Sequence, residues 1–103
     1  MNATELRALQ APIKNQYKEN PERAQVAVSA LGRITHDSIT CTVDSWAGPV
    51  VAGLHAAAGG DGSKACSADM LLEALVACAG VTLRSVATAM GIKLLSARVR
   101  ADG

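Results

Sequence analysis

The strongest pattern in the chain is an apolar run between residues 67 and 90 that leaves almost no polar side. Its large apolar residues are Met70, Leu71, Leu72, Leu75, Val76, Val81, Leu83, Val86 and Met90. A helix that is apolar all round is typical of a buried position, so the run predicts a long central helix. Ser67 is suited to cap its first turn, and Gly91 is suited to end it.

Weaker patterns before and after this run predict the remaining elements. Leu6, Leu9, Ile13 and Tyr17 recur at three- and four-residue steps, which predicts an amphipathic N-terminal helix within residues 1–20, with a kink at Pro12. Apolar and polar residues alternate within 24–55 and again within 94–101, which predicts strands. In the first region we expect strands at 24–31, at 38–44 and from Val50, with reversals at 32–37 and 46–49. These elements together predict one α+β domain over residues 1–103.

The predicted central helix raises the question of what covers it. A membrane span is the alternative to a buried helix, but Glu73 and Arg84 would each cost about 2 to 3 kcal/mol in lipid, which argues against a membrane. The chain stops after one strand beyond the helix. We therefore expect the N-terminal part of a longer protein, whose apolar helix needs a second chain to cover it.

Composition and charge exclude several classes of function. The net charge is +1 without a long run of one sign, so nucleic acid is not an expected partner. The three cysteines form no CxxC pair and no signal peptide is evident, which favours a reducing, cytoplasmic setting. In the glycine-rich loop Ser63 precedes Lys64, unlike a phosphate-binding P-loop, and we interpret it as a flexible connector. His36 and His55 lie apart, so no metal and no cofactor are expected.

Residues 66–83, CSADMLLEALVACAGVTL, resemble the central-helix signature of the OsmC/Ohr family, the osmotically inducible and organic hydroperoxide resistance proteins. The signature combines an acidic residue, an apolar Leu-Leu-x-Ala-Leu stretch and a cysteine in mid-helix. The loop that begins at Gly53 is similar to that of one subgroup. The resemblance implies an α+β fold in which antiparallel strands pack on a long buried central helix, in an intertwined homodimer.

The resemblance also implies a chemistry centred on Cys78, which stands at the position of the family's peroxidatic cysteine. That thiolate attacks an organic hydroperoxide and becomes a sulfenic acid, a second cysteine then closes a disulfide, and a dithiol reductant reopens it. The second cysteine would lie beyond Gly103. An arginine from the strand region and a glutamate near the helix start activate the thiol in the family. Arg33 is the candidate arginine here, and Asp69 lies one residue after the glutamate position, which falls on Ala68.

Two alternatives stay open from the residues alone. Cys78 can be a small packed side chain, since free cysteine is often buried, in a non-catalytic OsmC-like dimer that binds an apolar ligand or a partner. Cys66 stands just before the helix and is expected to be the more exposed thiol. It cannot resolve Cys78, because twelve helical residues span about 18 Å and a disulfide tolerates about 6 Å between Cα atoms.

Overall fold

The computed structural model describes residues 1–103 and contains two α-helices and one antiparallel three-stranded sheet, which confirms the α+β class. The elements in chain order are α1 (Ala3–Glu19), β1 (Gly32–Ile34), β2 (Thr40–Ser45), β3 (Gly48–Gly53) and α2 (Ser67–Ala89). The chain divides into two compact units. A helical unit comprises Met1–Ala27 with Val76–Arg100, and a sheet unit comprises Val28–Leu75 with Ala101–Gly103.

Helix α1 begins with a complete capping box. The Asn2 side chain accepts a hydrogen bond from the Glu5 amide, and the Glu5 carboxylate accepts one from the Asn2 amide, both at 2.9 Å. These bonds satisfy amides that the first turn would otherwise leave without partners. The helix continues through Pro12 and ends at Asn20, so the predicted N-terminal helix is present with nearly the predicted bounds.

Helix α2 ends in a Schellman motif at Gly91, as the sequence predicted. The Ile92 amide donates to the Ala87 carbonyl at 2.8 Å and the Gly91 amide to the Thr88 carbonyl at 3.1 Å. Gly91 has φ 69°, the left-handed conformation that this motif requires and that glycine adopts without strain. At the other end α2 begins at Ser67, as predicted, but the cap differs: the Met70 amide donates to the carbonyl of Cys66, so Cys66 and not Ser67 precedes the first helical residue.

The sheet has the order β1-β2-β3, and its first strand differs from the prediction. The expected strand at 24–31 is absent, and β1 lies instead in the segment expected to be a reversal. Val26 and Val28 are 76% and 91% exposed, so alternation in that segment buries nothing that would hold a strand in place. A Cβ atom on residue 32 would lie 2.7 Å from the Cys41 Sγ of β2. Because Gly32 has no Cβ atom, β1 can approach β2 closely at this position.

The strand expected within residues 94–101 is absent as well. Residues 94–101 form no strand, because no neighbouring strand supplies ladder hydrogen bonds to them. The reversal expected at 46–49 is a two-residue turn at the tip of the β2–β3 hairpin, and Trp46 in this turn is fully exposed.

Within this chain the central helix is not buried, contrary to the expectation of a long buried helix. Ala87 is the only buried residue, at 4% exposure. The large side chains of α2 are mostly in solvent, with Leu71 73% and Val81 68% exposed. By length and composition alone α2 could cross a bilayer, a criterion that core helices of soluble proteins also meet. The chain itself therefore supplies no layer that covers the apolar surface of α2.

Candidate functional site

Cys78 lies in the middle of α2 with an exposed side chain, so the alternative of a packed core cysteine does not hold within this chain. Its Sγ takes part in no hydrogen bond or ion pair. Residues three and four positions away share its helix face, and Leu75 and Val81 there are 57% and 68% exposed. The thiol therefore stands on an apolar helix face that solvent can reach.

Arg33, the candidate activator, lies in strand β1 and not in the turn that the sequence predicted. Its Nη1 and Nη2 donate to the two carboxylate oxygens of Asp44 in β2, at 2.5 and 2.7 Å. Register pairs Arg33 with Thr42, so Asp44 is the diagonal neighbour on the same sheet face. The hydrogen bond with Arg33 lowers the pKa of Asp44, and the hydrogen bond with Asp44 raises the pKa of Arg33.

Asp69, the third predicted site residue, is exposed in the first turn of α2. A carboxylate there interacts favourably with the positive end of the helix dipole. Arg33 and Asp69 both belong to the sheet unit, whereas Cys78 belongs to the helical unit. No hydrogen bond or ion pair links any two of these three residues. The carboxylate that pairs with Arg33 therefore belongs to Asp44 and not to Asp69, the acidic residue that the sequence predicted for the site.

The pairing with Asp44 was missed in the sequence, although one signal for it was present. Asp44 and Thr42 alternate with apolar residues in a predicted strand, which places both on one face. Identifying the residue that lies opposite them requires the bounds of β1, and these bounds were predicted wrongly. Arg33 could therefore not be matched to its partner before the register was known.

The ion pair between Arg33 and Asp44 should make the free energy of unfolding depend on pH. Asp44→Asn should lower the free energy of unfolding slightly at neutral pH, because both side chains are about half exposed and surface pairs contribute little. The pKa of Asp44 is lowered in the folded state, so its contribution is present above the ordinary aspartate pKa and is lost as pH falls through the folded value. Urea unfolding of both proteins between pH 6 and pH 2 measures this, with the values expected to converge at low pH. A constant difference across that range would contradict it.

The other two cysteines are less accessible than Cys78. Cys41 is half-buried in β2, and Cys66 is half-buried at the start of α2. The expectation that Cys66 is the more exposed thiol was therefore wrong, because the bridge between Ala65 and Ala52 of β3 holds the chain against the sheet at this point. Cys78 is therefore the most accessible of the three thiols within this chain.

Comparison with protein-family models, curated proteins and solved structures gives no match. The OsmC/Ohr resemblance accordingly rests on the residues of the central helix and its preceding loop.

His55 and the glycine-rich loop have local structural partners. The His55 Nδ1 accepts a hydrogen bond from the Ala57 amide at 2.9 Å and so caps a short 3-10 turn at Ala56–Ala58. The Asp61 carboxylate accepts hydrogen bonds from the Ser63 amide and hydroxyl, at 2.9 and 2.6 Å, and these bonds lower its pKa. A carboxylate in this position would repel a phosphate, so the loop's geometry disfavours a phosphate cradle.

Proposed function

We propose that this chain is a cytoplasmic, homodimeric thiol protein of the OsmC/Ohr type that reduces organic hydroperoxides through Cys78. The observation that carries the proposal is the exposed thiol on the apolar face of α2. An organic hydroperoxide is an apolar molecule with one reactive O–O bond, and a sulfur atom between Leu75 and Val81 suits such a substrate. A hydrophilic peroxide would gain nothing from these neighbours.

The proposed reaction consumes one hydroperoxide and two reducing equivalents. The Cys78 thiolate attacks the terminal peroxide oxygen, the O–O bond breaks, and the alkoxide leaves and takes up a proton to give the alcohol. The sulfur is thereby oxidised to a sulfenic acid. A thiol of a dithiol reductant condenses with the sulfenic acid and releases water, and the reductant's second thiol then displaces Cys78 as a disulfide forms in the reductant.

The thiolate needs a cation or a helix N-terminus nearby to be populated at neutral pH. Arg33 is our candidate for that cation. A guanidinium has more N–H donors than the two that Asp44 accepts, so the ion pair leaves Arg33 able to donate to a further anion. In this proposal Asp69 acts in the first turn of α2, one residue after the position of the family's glutamate.

The homodimer is proposed from the amount of surface that the chain leaves exposed, which includes large apolar side chains of α2. The chain exposes 8675 Å², whereas a compact monomer of its mass exposes about 5,400 Å². If a second copy covered this excess of about 3,000 Å² on each chain, the interface would bury about 6,000 Å² in total, the scale of the largest obligate dimer interfaces, which bury roughly 2,000 to 5,000 Å² or more. A second copy that presents the same face of α2 would cover the α2 helix of each chain through one symmetric interface.

Intact mass after one equivalent of cumene hydroperoxide tests the thiol chemistry. The native chain should gain one oxygen atom, Cys66→Ser and Cys41→Ser should gain it equally, and Cys78→Ser should not. The Cys66 and Cys41 variants are matched controls because each removes one free thiol that is half-buried. Loss of the added oxygen in Cys66→Ser, with the Cys78→Ser protein still oxidised, would refute the assignment.

A second candidate function is a non-catalytic OsmC-like dimer that binds an apolar ligand or partner. Two observations favour it: Arg33 forms an ion pair with Asp44, and no cationic side chain is bonded to the Cys78 Sγ. This alternative predicts no added oxygen in any of the three variants or in the native chain. The same mass measurement therefore decides between the two.

A further inference from the structure

The helical unit contains two adjoining cavities beside the C-terminal half of α2. The first, of about 320 Å³, is lined among others by Gly80, Leu83, Arg84, Leu94, Ala97 and Val99. The second, of about 350 Å³, is lined among others by Asn2, Arg84, Thr88, Ile92, Lys93 and Leu94. Arg84 and Leu94 line both, so the two cavities are neighbours across these side chains. Each is within the size range of small-molecule sites, about 300 to 1,000 Å³.

The two cavities differ in chemistry. Apart from Arg84 and Ser96, the first is lined by aliphatic side chains and glycine. The second has two cationic side chains, Arg84 and Lys93, and no carboxylate among its lining residues. A molecule that fits both must be apolar at one end and negatively charged at the other.

Both cations are available to a ligand. The Arg84 guanidinium makes no hydrogen bond or ion pair within the chain; the Thr88 hydroxyl donates to the backbone carbonyl of Arg84 at 2.8 Å, a hydrogen bond that does not involve the Arg84 side chain. The Lys93 ammonium likewise has no carboxylate partner. A planar guanidinium with unused N–H groups matches the two oxygens of a carboxylate.

The nearby end of α2 does not cancel this attraction. A helix C-terminus carries roughly half a negative charge, which would oppose an anion. The Ala89 carbonyl there accepts a hydrogen bond from the Arg7 Nη2 at 3.2 Å, and the Schellman bonds engage the Ala87 and Thr88 carbonyls. The two full positive charges of Arg84 and Lys93 therefore outweigh the partial negative charge at the C-terminal end of α2, where the carbonyls already accept hydrogen bonds.

We propose that these cavities form a binding site for a single-chain fatty acid, with the carboxylate at Arg84 and Lys93 and the alkyl chain along Leu83, Leu94, Ala97 and Val99. The site needs no participation of Cys78, which lines neither cavity. It therefore goes beyond the proposed peroxide chemistry, and binding can be measured whether or not that chemistry occurs.

Isothermal titration with decanoate, below its micelle-forming concentration and at physiological salt, tests the site. Arg84→Gln should weaken decanoate binding about tenfold or more, the effect of losing a charge-assisted hydrogen bond, and Lys93→Gln should weaken it about threefold. Arg98→Gln is the matched control, because it removes one positive charge nearby without altering either cavity lining, and it should leave the affinity unchanged. Butyrate and 1-decanol should each bind at least about tenfold more weakly than decanoate, since one lacks the chain and the other the charge.

A second variant, Ala97→Leu, tests the alkyl-chain cavity without touching a charge. The larger side chain should fill part of the first cavity and weaken decanoate binding several-fold, while butyrate binding stays the same. Equal losses in Arg84→Gln and Arg98→Gln would overturn the proposal, because they would indicate diffuse charge attraction. Butyrate or decanol binding as tightly as decanoate would overturn it as well.

Discussion

Gly60→Ala is expected to destabilise the sheet unit by about 3 kcal/mol or more, in the upper range of single substitutions. A Cβ atom at this position would overlap the carbonyl oxygen of Leu54 and lie 2.6 Å from its carbonyl carbon and 3.2 Å from that of His55. These are backbone atoms, so no side-chain rotation can relieve the overlap. The loop would have to open, with loss of the hydrogen bond from the Gly60 amide to the His55 carbonyl.

Gly59→Ala is the matched control for this prediction, because it makes the same chemical change one residue away. Gly59 has φ 99°, but a Cβ there would meet no atom within 4 Å. Only backbone strain should result, at a cost of about 1 to 2 kcal/mol. Urea unfolding at one fixed protein concentration compares the two variants, since stability of an oligomer depends on concentration. Equal destabilisation by both substitutions would contradict the close approach at Gly60.

The helices could be predicted from the sequence because their signals are local. The three- and four-residue steps of Leu6, Leu9 and Ile13 predicted α1, and Gly91 after Met90 predicted the end of α2, where the hydrogen bonds join residues at most five apart. Strand β1 could not be predicted in the same way. It has three residues, and its place is set by its antiparallel pairing with β2, in which Gly32 lies opposite Val43 and Ile34 opposite Cys41.

The candidate site, like the fold, was predictable only where its signals are local in the sequence. The motif around Cys78 located a cysteine in the middle of the helix, and the structure has it there and exposed. The partner of Arg33 and the cavities at Arg84 depend on contacts between residues far apart in sequence or on a segment without regular structure. No periodicity carries that information. Apolar composition also predicted burial of α2, but composition cannot say which chain provides the cover.

Leu75→Lys should separate the two chains of the proposed dimer, raising its dissociation constant about 100-fold or more. Leu75 is 57% exposed within one chain, so a lysine there should change the stability of a lone chain by no more than about 0.5 kcal/mol. If a second copy covers this face, the substitution places an unpaired charge in an apolar contact, which costs several kcal/mol. Analytical ultracentrifugation over a range of concentrations measures the dissociation constant directly.

The control variant is Asn15→Lys, which adds the same charge at an exposed polar position of α1 and should leave assembly unchanged. A monomeric native chain at all concentrations would contradict the dimer, because the apolar surface of α2 would then have to be covered by something other than a second copy. A dimer that persists in Leu75→Lys would place the contact on another face of the helix. The result also bears on the thiol, since Leu75 and Cys78 share one face: a partner that covers Leu75 sets how much of the exposed sulfur a peroxide can reach.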